Sequence, residues 1–217
     1  MVRLYDMYLS ETHVFGLVPG ILPVDCPYNY PMTSKSWKTR SRKPLLSFGK
    51  WLTVESHTVE LPNGKVIDDW AWVTSPDFVN VLAQMEDGRF LMFRQGKYGL
   101  EGESLAPVGG YCEPGEEPLA AAQRELLEET GHTAASWTDL GTFRVDPNRG
   151  VCMGTLFLAQ GARKIADPTA DDLEEQQIVS LTMDELEREL LAGQVKSMAW
   201  MANVALALVY LRSGGKS

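Results

Sequence analysis

The chain has 217 residues, with 20 Lys and Arg against 29 Asp and Glu and a formal net charge of −9. That length, with 44% hydrophobic residues, suits one large domain or one domain with an appendage and excludes disorder throughout. The acidic balance excludes non-specific binding to nucleic-acid polymers through a basic surface, and a polybasic membrane anchor. The charge is unevenly placed. Residues 26–50 hold six bases (Lys35, Lys38, Arg40, Arg42, Lys43, Lys50) and no acid, so the remainder carries −15. Two acidic blocks, 101–130 at −7 and 167–189 at −8, account for that deficit. A solvated helix face is the ordinary explanation of such a block unless its spacing says otherwise.

Residues 1–47 read as an N-terminal extension, irregular or partly disordered, because Pro19, Gly20, Pro23, Pro27 and Pro31 punctuate it before the basic run. No short basic region precedes an apolar run there, so no secretory signal is read. Strand-like segments begin at Trp51: Trp51–Leu61, a Pro62-Asn63-Gly64 turn, and Val66–Thr74. Phe78–Gln84 and Arg89–Gln95 flank Glu86-Asp87-Gly88 as a second hairpin. A Gly-rich segment, Pro107-Val108-Gly109-Gly110, leads to a helix over Pro118–Thr130, with Pro118 suited to its first turn and Gly131 to its stop. Strands near Trp137–Val145 and Val151–Gln160, a short strand near Gln177–Leu181, and helices over Met183–Ala192 and Ser197–Leu211 complete the order. The pattern is α+β with a mixed sheet. The apolar stretch Met198–Leu211 is too short to span a bilayer and reads as a buried helix. Cys26, Cys112 and Cys152 have no zinc or redox spacing, and free thiols suit a reducing, cytoplasmic setting, with organelle import left open.

Chemistry concentrates in the first acidic block. On a helix, Glu125, Glu128 and Glu129 at i, i+3 and i+4 share one face, while Leu119, Ala122 and Leu126 form an apolar stripe that anchors the helix to a sheet. Ala121 falls on the carboxylate face one turn earlier and leaves space there. Three converging carboxylates repel one another, and Arg124, four residues before Glu128, neutralises one charge only. A hard divalent cation relieves the rest; oxygen ligands alone select Mg²⁺ or Mn²⁺ over Zn²⁺. Gly109 and Gly110 permit a tight backbone path of the kind phosphate-side loops need. Together these features point to metal-assisted hydrolysis at phosphorus.

The stretch from Gly110-Tyr-Cys-Glu-Pro-Gly-Glu116, then seven residues, to Arg124-Glu-Leu-Leu-Glu-Glu-Thr-Gly-His132 resembles the Nudix box. It departs only at His132, where the box has an aliphatic residue. The resemblance implies a Nudix-type α/β/α sandwich over about 48–213, and hydrolysis of a nucleoside diphosphate linked to another moiety. It implies Glu125 and Glu129 as core metal ligands and Glu128 as a third ligand or water-positioning group. Arg124 would orient the carboxylates, and Glu116 would hold the loop to the helix or support a metal.

Further features resemble the ADP-ribose pyrophosphatase group: Phe93-Arg94-Gln95 before the box, Pro107-Val108-Gly109-Gly110, Pro147 beyond it, and Lys196 with the apolar C-terminal helix. Ser104-Leu105-Ala106 and Asp146-Pro147-Asn148-Arg149 depart from that group's pattern. The likeness implies substrate contacts at Arg94, Gly109, Gly110 and Pro147, and a general base at Glu174 or Glu175 in the second acidic block. Arg94 is otherwise a surface strand arginine. Trp51, Trp70 and Trp72 serve either base stacking or core and dimer contacts. The expected protein is a homodimeric, Mg²⁺-dependent hydrolase of a small nucleoside diphosphate derivative, free of membrane. A triphosphate pyrophosphatase and a non-catalytic nucleotide sensor are the competing classes.

Overall fold

The computed structural model describes residues 36–169 and 176–215, which lie in one compact unit spanning Lys35–Lys216. The N-terminal part forms a three-stranded antiparallel sheet of β1 (Lys38–Phe48), β2 (Leu52–Glu60) and β3 (Val66–Thr74) in the order β1-β2-β3. Asn63-Gly64 makes the β2–β3 turn, with Gly64 at φ +86 and the Leu61 N–H donating to the Lys65 carbonyl at 2.8 Å. The basic run expected as irregular chain is therefore strand β1 from Lys38 onward. Its pattern was hidden because all eleven of its residues are exposed, so no buried face imposes an apolar alternation. Residues 1–35 of the expected extension, including Cys26, lie outside the described residues.

The second sheet has eight strands, built on β4 (Phe78–Met85), β5 (Phe90–Gly96) and β10 (Met153–Lys164). β4 runs parallel to β10 and antiparallel to β5, so the sheet is mixed. β9 (Ser136–Arg144) and the two-residue β8 (His132–Thr133) pair with β10, and β11 (Gln176–Leu181) pairs with β5. The Gly-rich segment Pro107–Gly110 lies mostly in a short strand, β7 (Val108–Tyr111) on β4, and another, β6 (Glu103–Ala106) on β5, comes just before it. β4 and β5 pair directly only at Ala83↔Leu91 and Gln84↔Phe90; beyond that they part, and β6 and β7 occupy the split.

Helices cover both faces. β4 sends Val79, Val81 and Ala83 to one side, where they pack with Ala121, Ala122 and Leu126 of α1 (Pro118–Thr130). Leu82 points the other way, toward Leu186 of α2 (Met183–Leu191) and Val204, Ala207 and Leu208 of α3 (Met198–Arg212). β5 divides in the same manner, Leu91 and Phe93 to α1 and Phe90 and Met92 to α2 and α3. A strand buried on both faces loses its polar alternation, which is why Phe78–Met85 reads as one apolar run. The result is the expected α/β/α sandwich. Among the described residues, no helix is long and apolar enough to cross a membrane.

Candidate active site

α1 starts at Pro118 and ends where Gly131, at φ +71, donates its N–H to the Leu127 carbonyl at 2.8 Å. Its inward face differs from the expected stripe. Leu119 is 42% exposed, whereas Ala121 is fully buried and fills the position read as open space. The rotation follows from helical angles: Glu125 and Glu129 fall between Ala121 and Ala122, so these two carboxylates face the sheet. A side chain on the opposing strand would not allow that. At Gly110 an added Cβ would lie 2.3 Å from Glu125 Oε1, and at Gly109 it would lie 2.3 Å from the Val79 carbonyl oxygen. Both glycines sit on β7 with ordinary backbone angles, so Gly110 serves close approach of β7 to the helix and Gly109 close approach of β7 to β4, rather than an unusual loop conformation.

Arg124 occupies the middle of the cluster. Its Nε and Nη2 donate to the two oxygens of Glu116, each at 2.9 Å. Its Nη1 donates to Glu125 at 2.7 Å and to Glu128 at 3.1 Å, and Nη2 also reaches the Tyr111 carbonyl at 3.1 Å. Glu129 accepts the Gly109 N–H at 3.2 Å, and Glu116 accepts the Glu113 N–H at 2.9 Å. The Glu116 carboxylate first, with Glu125 and Glu128 adding, holds the Arg124 guanidinium above its ordinary value. Arg124 first, then the Glu113 N–H, holds the Glu116 carboxyl below its ordinary value. The neighbouring Cys112 thiol is pushed up, by burial first and then by Glu116 and Asp77, which keeps it protonated and unsuited to nucleophilic attack.

Three carboxylates thus share one guanidinium and a fourth, Glu129, leans on the Gly109 N–H, so the cluster keeps a formal charge of −3 on oxygen donors alone. That donor chemistry fits a hard divalent cation, and the bare β7 backbone leaves Glu125 room that a Cβ would fill. Among the described residues, no three His, Cys, Asp or Glu side chains stand close enough together to hold a metal ion as placed. The guanidinium holds the centre and draws Glu116, Glu125 and Glu128 to itself.

The other expected site residues are dispersed. Strand alternation turns Arg94 to the α2–α3 face with Met92, away from α1, so the structure does not bring it to the carboxylates. Pro147 lies in the β9–β10 connection beside β3, where the Val73 and Ser75 N–H groups donate to the Arg149 and Val151 carbonyls at 3.0 and 2.8 Å. A cleft of about 300 Å³ there is lined by Trp70, Ala71, Asn148 and Arg149. Glu174 and Glu175 lie outside the described residues. Before that segment the Thr169 N–H donates to the Glu128 carbonyl at 2.8 Å, and after it Gln176 stands opposite Gln95. Trp51 meets Tyr111 edge-on at 5.7 Å, with Lys50 Nζ 4.6 Å from the Trp51 ring, which puts exposed aromatic surface beside the Arg124 cluster. Sequence spacing carried no sign of Tyr111 or of the Gly109 N–H, since both act through backbone placement.

Residues 74–201 match the NUDIX domain, and residues 37–73 match the nucleoside diphosphate sugar hydrolase N-terminal domain. The chain is 32% identical over 181 residues to an ADP-ribose pyrophosphatase of Bacillus subtilis (strain 168), covering 83% of this chain and 95% of that one. It is 30% identical over 138 residues to a methanol dehydrogenase activator of Bacillus methanolicus, covering 63% and 74%. The crystal structure of an ADP compounds hydrolase superposes with a TM-score of 0.66 at 21% identity, over 83% of this chain and 99% of that chain, a likeness of fold. The chain belongs to the Nudix family of hydrolases, enzymes that act on pyrophosphate bonds.

Proposed function

We propose that the protein is a Mg²⁺-dependent pyrophosphohydrolase, with Mn²⁺ as a substitute, that cleaves ADP-ribose or a related nucleoside diphosphate sugar. The products are a nucleoside monophosphate and a sugar phosphate. The observation that carries this reading is the Glu116–Arg124–Glu125–Glu128–Glu129 cluster pressed against the bare backbone of β7. The similarity to an ADP-ribose pyrophosphatase across nearly its whole length supports the substrate class.

Glu125 and Glu129, with Glu128 and Glu116, would hold the cation, which when bound neutralises diphosphate oxygens and acidifies a water. Glu125 and Glu129 keep their positions because β7 backs them, the latter through the Gly109 N–H. Arg124 keeps Glu116 in place through two parallel hydrogen bonds, a geometry lysine cannot reproduce. Glu128, whose side chain is 46% exposed, sits on the rim, where it can orient the attacking water. Glu174 or Glu175 is the general base that takes the proton from that water; Thr169, before them in the chain, donates its N–H to the Glu128 carbonyl of α1. Gly109, Gly110 and Pro147 bound the substrate's path, and the Trp51–Tyr111 pair offers a base a stacking surface.

The chain functions as a homodimer. β1 exposes Leu45, Leu46 and Phe48 next to Trp51, on a strand whose bases complement the acidic remainder of a second copy. The two free thiols of the described residues suit a cytoplasmic setting. A panel of ADP-ribose, UDP-glucose and ATP with Mg²⁺, with products identified, tests the reading. AMP plus ribose 5-phosphate is expected from ADP-ribose. Pyrophosphate release from ATP without ADP-ribose cleavage would overturn the substrate class, and tight binding without turnover would overturn the enzymatic reading.

A further inference from the structure

β5 ends on a buried acceptor with nothing to accept. Gln95 is 6% exposed, and its Oε1 has no hydrogen-bond partner among the described residues. A carbonyl oxygen removed from water and left unpaired destabilises the fold that buries it, so such an atom calls for an explanation. Its neighbour on β6 does not supply a donor. Ser104, opposite Gln95 in register, directs its hydroxyl to the Leu105 and Gln194 carbonyls at 2.9 and 3.1 Å and accepts the Lys196 N–H at 3.0 Å.

The direction of the side chain is informative. Leu91 and Phe93 pack on α1, and alternation puts Gln95 on that same face. Continuing the Ala83↔Leu91 register by four residues sets Gln95 level with Val79, whose β7 partner is Gly110. Gly110 is the position against which the Glu125 carboxylate lies. Gln95 and Gly110 therefore stand at one level, on one face, on the two arms of the split between β5 and β4.

We propose that Gln95 is a specificity-determining residue of the hydrolytic site, its Oε1 accepting a hydrogen bond from a sugar hydroxyl of the nucleotide substrate. A diphosphate has no donor to offer a carbonyl oxygen, so the partner comes from the groups attached to it. A sugar is directly bonded to the phosphates, whereas a base amino group lies farther out. The inference rests on the proposed hydrolysis of nucleoside diphosphate derivatives.

Gln95→Leu removes the amide at nearly constant volume, and Gln95→Met repeats the test if leucine does not fit. Each is measured with every member of the panel that the parent protein hydrolyses. The expected result is a Tm equal to or above the parent's, kcat within about threefold and KM raised about tenfold. Substrates lacking single sugar hydroxyls should show the same rise in the parent and none in the variant, while inosine analogues, which lack the base amino group, behave like the adenosine compounds. An unchanged KM with a lowered Tm would overturn the inference and assign Gln95 to a buried water or to the fold. Sensitivity to the base amino group instead of a hydroxyl would also overturn it. If only ATP is hydrolysed, the KM comparison is made on ATP, and if nothing is turned over, calorimetric Kd values replace it. The failure of the substrate class and the failure of the Gln95 assignment are thus separate results.

Discussion

At Glu116 the ionised form is favoured by Arg124 and by the Glu113 N–H, so its pKa lies below the ordinary value of 4.5. A carboxyl with a lowered folded-state pKa stabilises the fold above its unfolded value and loses that contribution as pH falls through the folded one. Glu116→Gln should therefore be less stable than the parent near neutrality, and the gap should close below about pH 4.5. Thermal unfolding between pH 7 and pH 3 checks this, and a gap independent of pH would contradict it. Glu129 tests the chemistry instead. Glu129→Gln keeps an oxygen to accept the Gly109 N–H, so circular dichroism and Tm should stay near the parent's, while kcat falls at least about 100-fold. Full activity in that variant would remove Glu129 from the metal site. Arg124, Glu125, Glu128 and Glu129 were legible in the sequence because helical spacing gathers them, and Glu116, which lies before the helix, was legible only through the resemblance to the Nudix box. Arg94 was not, because a one-residue step along a strand reverses the face, and only the packing of Leu91 and Phe93 settles which face is which.

β7 carries the sharpest prediction at the scale of elements, because its two glycines meet different obstacles. At Gly110 the obstacle is the mobile end of Glu125, whereas at Gly109 it is the backbone of β4. Gly110→Ala should fold with little loss of Tm and lose activity as Glu125 is displaced. Gly109→Ala should lose stability, by about 1–3 kcal/mol or more, because β4 cannot move aside. Equal effects on stability would show that β7 is not held against β4 as tightly as these distances require. The element order was readable from turn chemistry at Asn63-Gly64 and Asp87-Gly88 and from the helix limits at Pro118 and Gly131. β1, β6 and β7 were not. β1 lacks a buried face, and β6 and β7 are four residues each, too short to display a period.

For the whole molecule, the exposed apolar residues of β1 predict association. Leu46→Glu should convert a dimer to a monomer in light scattering coupled to gel filtration, and a parent protein already monomeric at micromolar concentration would refute the dimer. The sandwich, the family, the acidic helix and the β2–β3 hairpin were within reach of the sequence, but the third strand of that sheet, β1, was not, since it has no buried face to pattern it. One detail of that sheet sets its behaviour in solution. The C-terminal half of β3 is already occupied on its outer side by the carbonyls of Arg149 and Val151, and the Trp70 indole N–H closes the same margin on the Asn148 carbonyl at 2.8 Å. A sheet with two open margins can add copies without end, whereas one open margin permits a single join. Along that half the chain has blocked one side of its own template, so among the described residues strand addition to this sheet is directed to its other margin.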